Sequence, residues 1–324
     1  MAPRHRRALR VVSRALAAGA LLLLLAWLGL RLYDRPPGPP GGWLVRLGLE
    51  ERFATVAGVR VRYVRTGGGS PVVLLHGFGS SIYTWKDVIP GLARAHEVVA
   101  LDLPGFGWSD QPADLSFELY PRVVLGLLDQ LSLDRASLVG NSMGGAVACW
   151  LAASEPGRVD LLVLIDSAGF NLREADRPAM VRLTSHPSAE AIAGRLPATR
   201  LLVTIGLRHV FHDDTRLTEE RIDEYLAAAK RPGTLRSIRS LMASTRAAAD
   251  EFAARLGRIE APTLVLWGEE DQWIPLAHAD RFVAAIHGAR KVVVPGVGHL
   301  PEEEAPQEVT RLLLDFLEVG DQAR

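Results

Sequence analysis

Short apolar runs alternate with longer helix-like stretches along most of the chain. Most of these runs contain β-branched residues, and glycine or polar residues follow them. Continuous apolar strands separated by helical patterns are typical of a parallel sheet with helices on both faces. The pattern therefore predicts an α/β fold, with strands at 71–75, 98–101, 137–139, 161–165, 263–267 and 291–294.

The pattern changes in two places. Residues 60–64 alternate between polar and apolar, which predicts an edge strand with one exposed face. Between 170 and 257 the chain is richer in charge and has helix-like segments without a strand run. We therefore predict a helical lid at 170–257, inserted between the two parts of an α/β core at 51–169 and 258–319.

The first 33 residues form a separate segment. Five arginines precede an uncharged stretch, 15–30, which Arg31 closes. Sixteen helical residues cover about 24 Å, a little less than a bilayer core. No small-x-small cleavage site follows, so a transmembrane signal anchor is favoured over a cleaved signal peptide. The arginine bias predicts a cytoplasmic N-terminus and a periplasmic remainder, with secretion after cleavage as the alternative.

Residues 34–50 are predicted to be a linker, because proline and glycine fill 36–42 and cannot hold a helix or a central strand there. Of the 324 residues, 48% are hydrophobic, and 37 basic residues balance 37 acidic ones. The chain can bury a large core, and nothing electrostatic indicates a nucleic-acid partner. Cys149 is the only cysteine, which excludes an intrachain disulfide and favours a small buried residue.

Ser142 lies between glycines at a predicted strand-to-helix joint, in the sequence LVGNSMGG. Such a Gly-x-Ser-x-Gly turn is typical of a nucleophile held in a strained backbone conformation. The alternative is a serine that caps the following helix. The motif alone does not decide between them, since a nucleophilic serine needs a base and a group that orients the base.

His299 is the candidate base, because it follows the last strand run directly. Asp271 is the candidate acid, with Glu269, Glu270 and Asp166 as rivals at strand ends. Ligands bind at the carboxyl ends of strands in open α/β sheets, where these residues are expected to meet. The chain order serine, aspartate, histidine is the one expected for this kind of fold.

Two backbone N–H groups are candidates for an oxyanion hole. The glycines around Phe78, in the sequence HGFG, allow its N–H to point inward, and Met143 begins the helix after Ser142. An alternative metal site would use four neighbouring residues, but nothing supplies a matched partner cluster for them. They are His209, His212, Asp213 and Asp214. No metal and no cofactor is expected.

Five motifs in this order resemble the α/β-hydrolase superfamily, in its lid-bearing lineage: HGFG, LDLPGFGWSD, GNSMGG, WGEEDQWIP and GVGHLP. The resemblance covers about 53–317. It implies an α/β-hydrolase fold with Ser142 as nucleophile, His299 as base and Asp271 as acid. It also implies that the backbone N–H groups of Phe78 and Met143 form the oxyanion hole.

The resemblance also limits the reaction. Haloalkane dehalogenases and epoxide hydrolases of this lineage use an aspartate where this chain has Ser142. The GNSMGG motif is similar to hydrolases that cleave carbon–carbon bonds in ring-fission products of aromatic degradation. Those enzymes carry a tryptophan where this chain has Leu300, and a lid arginine that we align with Tyr225.

Ester hydrolysis needs only the triad and the oxyanion hole. A membrane-anchored hydrolase with a lid also resembles monoacylglycerol-type lipases. The predicted function is therefore a membrane-anchored serine hydrolase of the carboxylesterase or lipase kind, which cleaves a small-molecule ester with an apolar acyl chain. The alternatives are a carbon–carbon bond hydrolase, secondary perhydrolysis on the same triad, and a non-catalytic interaction protein.

Overall fold

One eight-stranded sheet forms the centre of the molecule. The computed structural model describes residues 3–170 and 199–322. The strands are β1 (Arg52–Val56), β2 (Val59–Gly67), β3 (Ser70–Leu75), β4 (His96–Leu101), β5 (Ala136–Asn141), β6 (Val159–Ile165), β7 (Thr263–Gly268) and β8 (Arg290–Val294). Their order in the sheet is β1-β2-β4-β3-β5-β6-β7-β8.

Strands β3 to β8 are parallel to one another, while β2 is antiparallel to both of its neighbours, β1 and β4. The predicted, mostly parallel sheet is thus confirmed. The predicted edge strand at 60–64 is wrong, because β2 pairs with β1 on one side and with β4 on the other. The polar residue Arg62 in this strand does not face solvent. It is 3% exposed and pairs with the buried Asp102.

Helices cover both faces of the sheet. In the described residues they are α1 (Pro3–Tyr33), α2 (Gly42–Arg46), α3 (Ile89–Leu92), α4 (Leu119–Gln130), α5 (Met143–Ser154), α6 (Thr199–Val210), α7 (Glu219–Ala229), α8 (Thr234–Arg255), α9 (Ala277–Ala285), α10 (Pro301–Glu304) and α11 (Pro306–Gln322). Short 3₁₀ turns lie at Ile82–Trp85, Pro156–Arg158, Asp214–Arg216 and Leu256–Arg258.

Two hydrophobic clusters lie on opposite faces of the sheet. In β3, Val73 and Leu75 belong to the cluster that includes α4, α5 and α9, whereas Val72 and Leu74 belong to the one that includes α3 and α11. Successive strand side chains point to opposite faces, so a strand buried on both sides must be continuously apolar. Cys149 is buried and free, as predicted.

Helices α6, α7 and α8 lie in the sequence between β6 and β7. They occupy the described portion of the segment predicted as a helical lid, 170–257. Residues 171–198 of that segment lie outside the described residues.

The N-terminal segment differs from its prediction. Over the described part of the chain, no helix combines the length and the apolar character needed to cross a membrane, so the predicted transmembrane helix is not supported. The uncharged stretch spans only about 24 Å, and Arg31, Asp34 and Arg35 follow it closely.

Residues 34–46, predicted as part of a spacer, are bound along α6 and α7. Asp34 accepts a hydrogen bond from the backbone N–H of Arg200 (2.8 Å) and pairs with Lys230 (3.2 Å). Acidic side chains of α7 bind the rest of the segment: Glu219 pairs with Arg35, Asp223 accepts from the Gly38 N–H, Glu224 accepts from the Gly41 N–H, and Glu220 pairs with Arg46. These acids share one face of α7, since they recur every three to four residues.

Candidate active site

Ser142 occupies a strained turn between β5 and α5. Its backbone has φ 51° and ψ −115°, a conformation that is rare for a non-glycine residue. Its N–H donates to the Ile165 carbonyl (2.9 Å), and its own carbonyl accepts from the Ala168 N–H (3.0 Å). Its hydroxyl makes no capping hydrogen bond to α5. The helix-cap interpretation is therefore not supported, and the hydroxyl is available for another role.

The glycines around Ser142 allow the close approach that this turn requires. A Cβ on Gly140 would overlap the backbone of Gly144, and a Cβ on Gly144 would overlap the carbonyl of Leu75. Both overlaps are with backbone atoms, which cannot rotate away as a side chain can. The spacing of the glycines thus follows from the packing of α5 against β5 and β3.

His299 and Asp271 form a buried hydrogen-bonded pair. The His299 Nδ1 lies 2.7 Å from Asp271 Oδ2, and the side chains are 4% and 0% exposed. The other carboxylate oxygen, Oδ1, accepts from the backbone N–H groups of Trp273 (2.7 Å) and Ile274 (3.0 Å). Because a carboxylate only accepts, Nδ1 carries the proton and Nε2 keeps its lone pair. This is the tautomer that a general base needs.

Three further contacts hold His299 in place, and sequence reasoning did not predict them. The backbone N–H of His299 donates to the Val210 carbonyl on α6 (2.8 Å), and the Asn141 side chain donates to the His299 carbonyl (3.1 Å). The Trp273 ring stacks on the imidazole, with centroids 5.8 Å apart and an interplanar angle of 22°.

A buried carboxylate on α10 shapes the loop before His299. Glu304 accepts hydrogen bonds from the backbone N–H groups of Gly298 (2.9 Å), His212 (2.9 Å) and Asp213 (3.0 Å). Burial nevertheless raises its pKa above the ordinary value, against these bonds. The sequence PEEE is typical of an exposed helix start, so the pattern gave no signal for this contact.

Phe78 and Met143, the predicted oxyanion-hole residues, lie near Ser142. Phe78 lines the same cavity as Ser142, and Met143 is the first residue of α5, where a helix leaves its N–H without an intrahelical acceptor. His76 fixes the Phe78 loop: its Nδ1 donates to the Gly77 carbonyl (2.7 Å), and its Nε2 accepts from the Leu103 N–H (2.9 Å). Burial lowers the pKa of His76, which favours this neutral form.

None of the rivals of Asp271 is hydrogen-bonded to His299. Asp166 follows β6 and lies close to Asp271, but it accepts from the Gly268 N–H (3.0 Å) rather than from His299. Glu269 and Glu270 are exposed. In the alternative metal cluster, Asp213 binds the Thr215 hydroxyl (2.6 Å) and the Thr215 N–H (2.9 Å), which lowers the Asp213 pKa.

A cavity of about 220 Å³ opens onto Ser142 and His299. Its wall comes from the Phe78 loop, from α6 and α7, and from the segments after β7 and β8. The apolar side chains that line it are Phe78, Val203, Leu207, Val210, Ala229, Trp273 and Leu300. The hydroxyl-bearing side chains besides Ser142 are Ser80 and Tyr225.

Tyr225 links the cavity to a buried charge. Its hydroxyl donates to the Glu303 carboxylate and lies 3.2 Å from the Ser80 hydroxyl. Glu303 also accepts from the Thr84 hydroxyl (2.8 Å) and pairs with Arg221 (2.7 Å). The position aligned with the lid arginine of carbon–carbon hydrolases therefore faces the cavity, but it carries a neutral phenol bound to an acid.

A parallel sheet with a strained serine turn and a His–Asp pair at its carboxyl edge defines a hydrolase of the α/β type. The chain belongs to the alpha/beta hydrolase fold family, whose model matches residues 70–306.

Known relatives act on different substrates. The chain is 32% identical to a 2-hydroxy-6-oxo-6-phenylhexa-2,4-dienoate hydrolase of Comamonas testosteroni, over 79% of this chain and 91% of that one. It resembles the solved structure of a meta-cleavage product hydrolase from Pseudomonas fluorescens, with a TM-score of 0.72 and 27% identity, over 84% of this chain and 98% of that one. It also resembles that of a membrane phospholipase A described as a bacterial virulence factor (TM-score 0.70, 25% identity, 98% and 99% covered).

Proposed function

We propose that this hydrolase cleaves carboxylic esters with apolar acyl chains through an acyl-enzyme on Ser142. The main support for this proposal is the apolar cavity, because both Ser142 and His299 line it. An acyl chain enters such a cavity with a gain of about 0.8 kcal/mol for each buried methylene.

Each residue of the proposed site has its own role in the reaction. The Ser142 Oγ attacks the ester carbonyl carbon, and its proton passes to His299 Nε2. Asp271 stabilises the imidazolium through the 2.7 Å hydrogen bond to Nδ1. The N–H groups of Phe78 and Met143 stabilise the negative charge on the former carbonyl oxygen. His299 then protonates the departing alcohol, and water activated by the same histidine releases the acid and restores Ser142.

Cleavage of a carbon–carbon bond is the second candidate, because the dienoate hydrolase of Comamonas testosteroni is 32% identical to this chain. A dienoate carries a carboxylate, and the described residues that line the cavity include no lysine or arginine. The polar end of the cavity instead holds Tyr225, whose hydroxyl is bound to the Glu303 carboxylate. The nearby guanidinium of Arg221 is already paired with Glu303 (2.7 Å), so it does not offer a separate cation to a dienoate carboxylate. These observations favour a neutral ester.

A substrate panel separates the two candidates. We expect kcat/KM for p-nitrophenyl esters to rise about fourfold with each added methylene until the cavity is filled. We expect 2-hydroxy-6-oxo-6-phenylhexa-2,4-dienoate to be hydrolysed at least about tenfold more slowly than the best ester. Stopped absorbance assays measure both reactions, with Ser142→Ala as the background for each substrate. Faster hydrolysis of the dienoate than of every ester would assign the protein to the carbon–carbon class.

We further propose that residues 1–33 attach the protein to a membrane, with the hydrolase core outside the cytoplasm. Two observations support attachment. Seven leucines near the end of α1 are between 47% and 74% exposed, and water solvates such side chains poorly: Leu21, Leu22, Leu23, Leu24, Leu25, Leu28 and Leu32. The similarity to the membrane phospholipase A also covers 98% of this chain, which includes the N-terminal segment.

Cell fractionation tests the attachment. The intact protein is expected in the carbonate-washed membrane pellet, and the triple variant Leu21→Glu, Leu24→Glu, Leu28→Glu largely in the supernatant. Leu235→Glu, which changes an exposed leucine of α8, is the matched control and should stay in the pellet. An intact protein found in the supernatant would refute attachment. An inactive C-terminal alkaline phosphatase fusion would refute the location outside the cytoplasm.

A further inference from the structure

Two buried carboxyl groups lie side by side beneath His299. Asp166 follows β6 and Asp271 follows β7, and these strands pair in parallel, with Ile165 opposite Leu266. Asp166 is fully buried, and the Asp271 side chain lies beside it. Atoms of Asp166, Asp271 and His299 all lie within 4.8 Å of one another.

Two ionised carboxylates this close repel one another where water is excluded, and a proton on one of them allows a hydrogen bond between the two. Asp271 accepts from two backbone N–H groups and from His299 Nδ1, and these three donors stabilise its charge. Among the residues that the structure describes, Asp166 accepts from one donor, the Gly268 N–H, at 3.0 and 3.3 Å from its two oxygens. Asp271 and Glu302 are acidic neighbours of Asp166, and burial together with Asp271 raises the pKa of Asp166 well above its ordinary value. The proton therefore belongs to Asp166.

The backbone of Asp166 adopts a strained conformation. Its φ of 44° is in the left-handed region, which costs free energy for any residue except glycine. The Asp166 N–H donates to the Leu266 carbonyl (3.1 Å), which ties this strained residue to β7 just before Asp271. The side chain is thus held rigidly against the acid of the triad.

We propose that Asp166 is a positioning residue, whose neutral carboxyl donates a hydrogen bond to Asp271 and keeps that carboxylate directed at His299. This inference rests on the proposed triad and adds a fourth member, Asp166–Asp271–His299–Ser142. In this arrangement the oxygen nearer to the Gly268 N–H (3.0 Å) is its main acceptor, and the other, protonated oxygen donates to Asp271. An asparagine has the same shape and the same pair of functions, because its carbonyl accepts and its amide donates.

Three substitutions test this role. Asp166→Asn is expected to keep kcat within about threefold of the intact protein. Asp166→Ala and Asp166→Gly remove the donor and are expected to lower kcat about 10- to 100-fold, with little change in KM. Glycine adopts a positive φ without strain, so Asp166→Gly separates the lost hydrogen bond from a folding defect. Each kcat is divided by the concentration of active sites, measured by titration with a fluorophosphonate.

The outcomes are distinguishable. A loss in Asp166→Asn as large as that in Asp166→Gly would mean that an ionised carboxylate is needed, and would overturn the proposal. Unchanged kcat per titrated site in Asp166→Gly would leave only a structural role and would also overturn it. If the intact protein is not labelled by the fluorophosphonate, the proposed triad itself fails, and that result is independent of Asp166.

Discussion

Ser142→Ala is expected to abolish covalent labelling by a fluorophosphonate and to lower kcat for esters by at least about 10⁴-fold. Alanine removes the only atom that can form the acyl-enzyme, while the backbone turn at φ 51° remains. Loss of a triad nucleophile costs this much because the remaining groups then have no nucleophile to activate. Gel fluorescence with a tagged fluorophosphonate and steady-state kinetics measure the two effects.

Ser154→Ala is the matched control for this experiment. Ser154 is the last residue of α5, the helix that Ser142 precedes, and it is exposed and distant from the cavity lining. It should label and turn over as the intact protein does. Equal labelling of the intact protein and Ser142→Ala would contradict the assignment of the nucleophile.

Asp271→Asn is expected to lower kcat by about 10⁴-fold. The Asp271 Oδ1 accepts from two backbone N–H groups, so the carbonyl oxygen of an asparagine would take that position. Its amide would then face His299 Nδ1, where the imidazole needs an acceptor. The imidazole would turn to its other tautomer and lose the lone pair at Nε2 that accepts the Ser142 proton.

Asp166→Asn is the matched comparison for Asp271→Asn, because both changes replace a buried carboxyl group that follows a strand. Retained kcat in Asp166→Asn and lost kcat in Asp271→Asn together place the acid after β7. The reverse pattern would transfer the role to Asp166. A circular dichroism melt of each variant identifies any loss that comes from unfolding.

The sequence could place the candidate site residues at strand ends because strand ends carry strong local signals. Glycines flank Ser142, an apolar run precedes each polar cluster, and parallel strands bring these clusters to one edge. The same signals failed for β2, where Arg62 alternates with apolar residues although it is buried with Asp102. Hydropathy alone does not distinguish an exposed arginine from a buried, paired one.

Contacts between distant segments could not be read from local patterns. Tyr225 and Glu303 are 78 residues apart, and Arg35 and Glu219 are 184 apart. The run Glu302 to Glu304 is highly charged, which is typical of a solvated surface, yet all three are buried. Their burial depends on partners supplied by the tertiary fold, such as Thr84 and the N–H of Gly298. Only the assembled structure places these partners beside the acids.

The attachment of residues 34–46 to α6 and α7 connects the N-terminal segment to the wall of the cavity. Asp34 binds the backbone of Arg200 at the start of α6, and Val203 and Leu207 of that helix form part of the cavity wall. One hydrogen bond therefore joins the segment after α1 to a helix of the cavity wall. Residues remote from Ser142 in sequence thus contact the helix that forms this part of the wall.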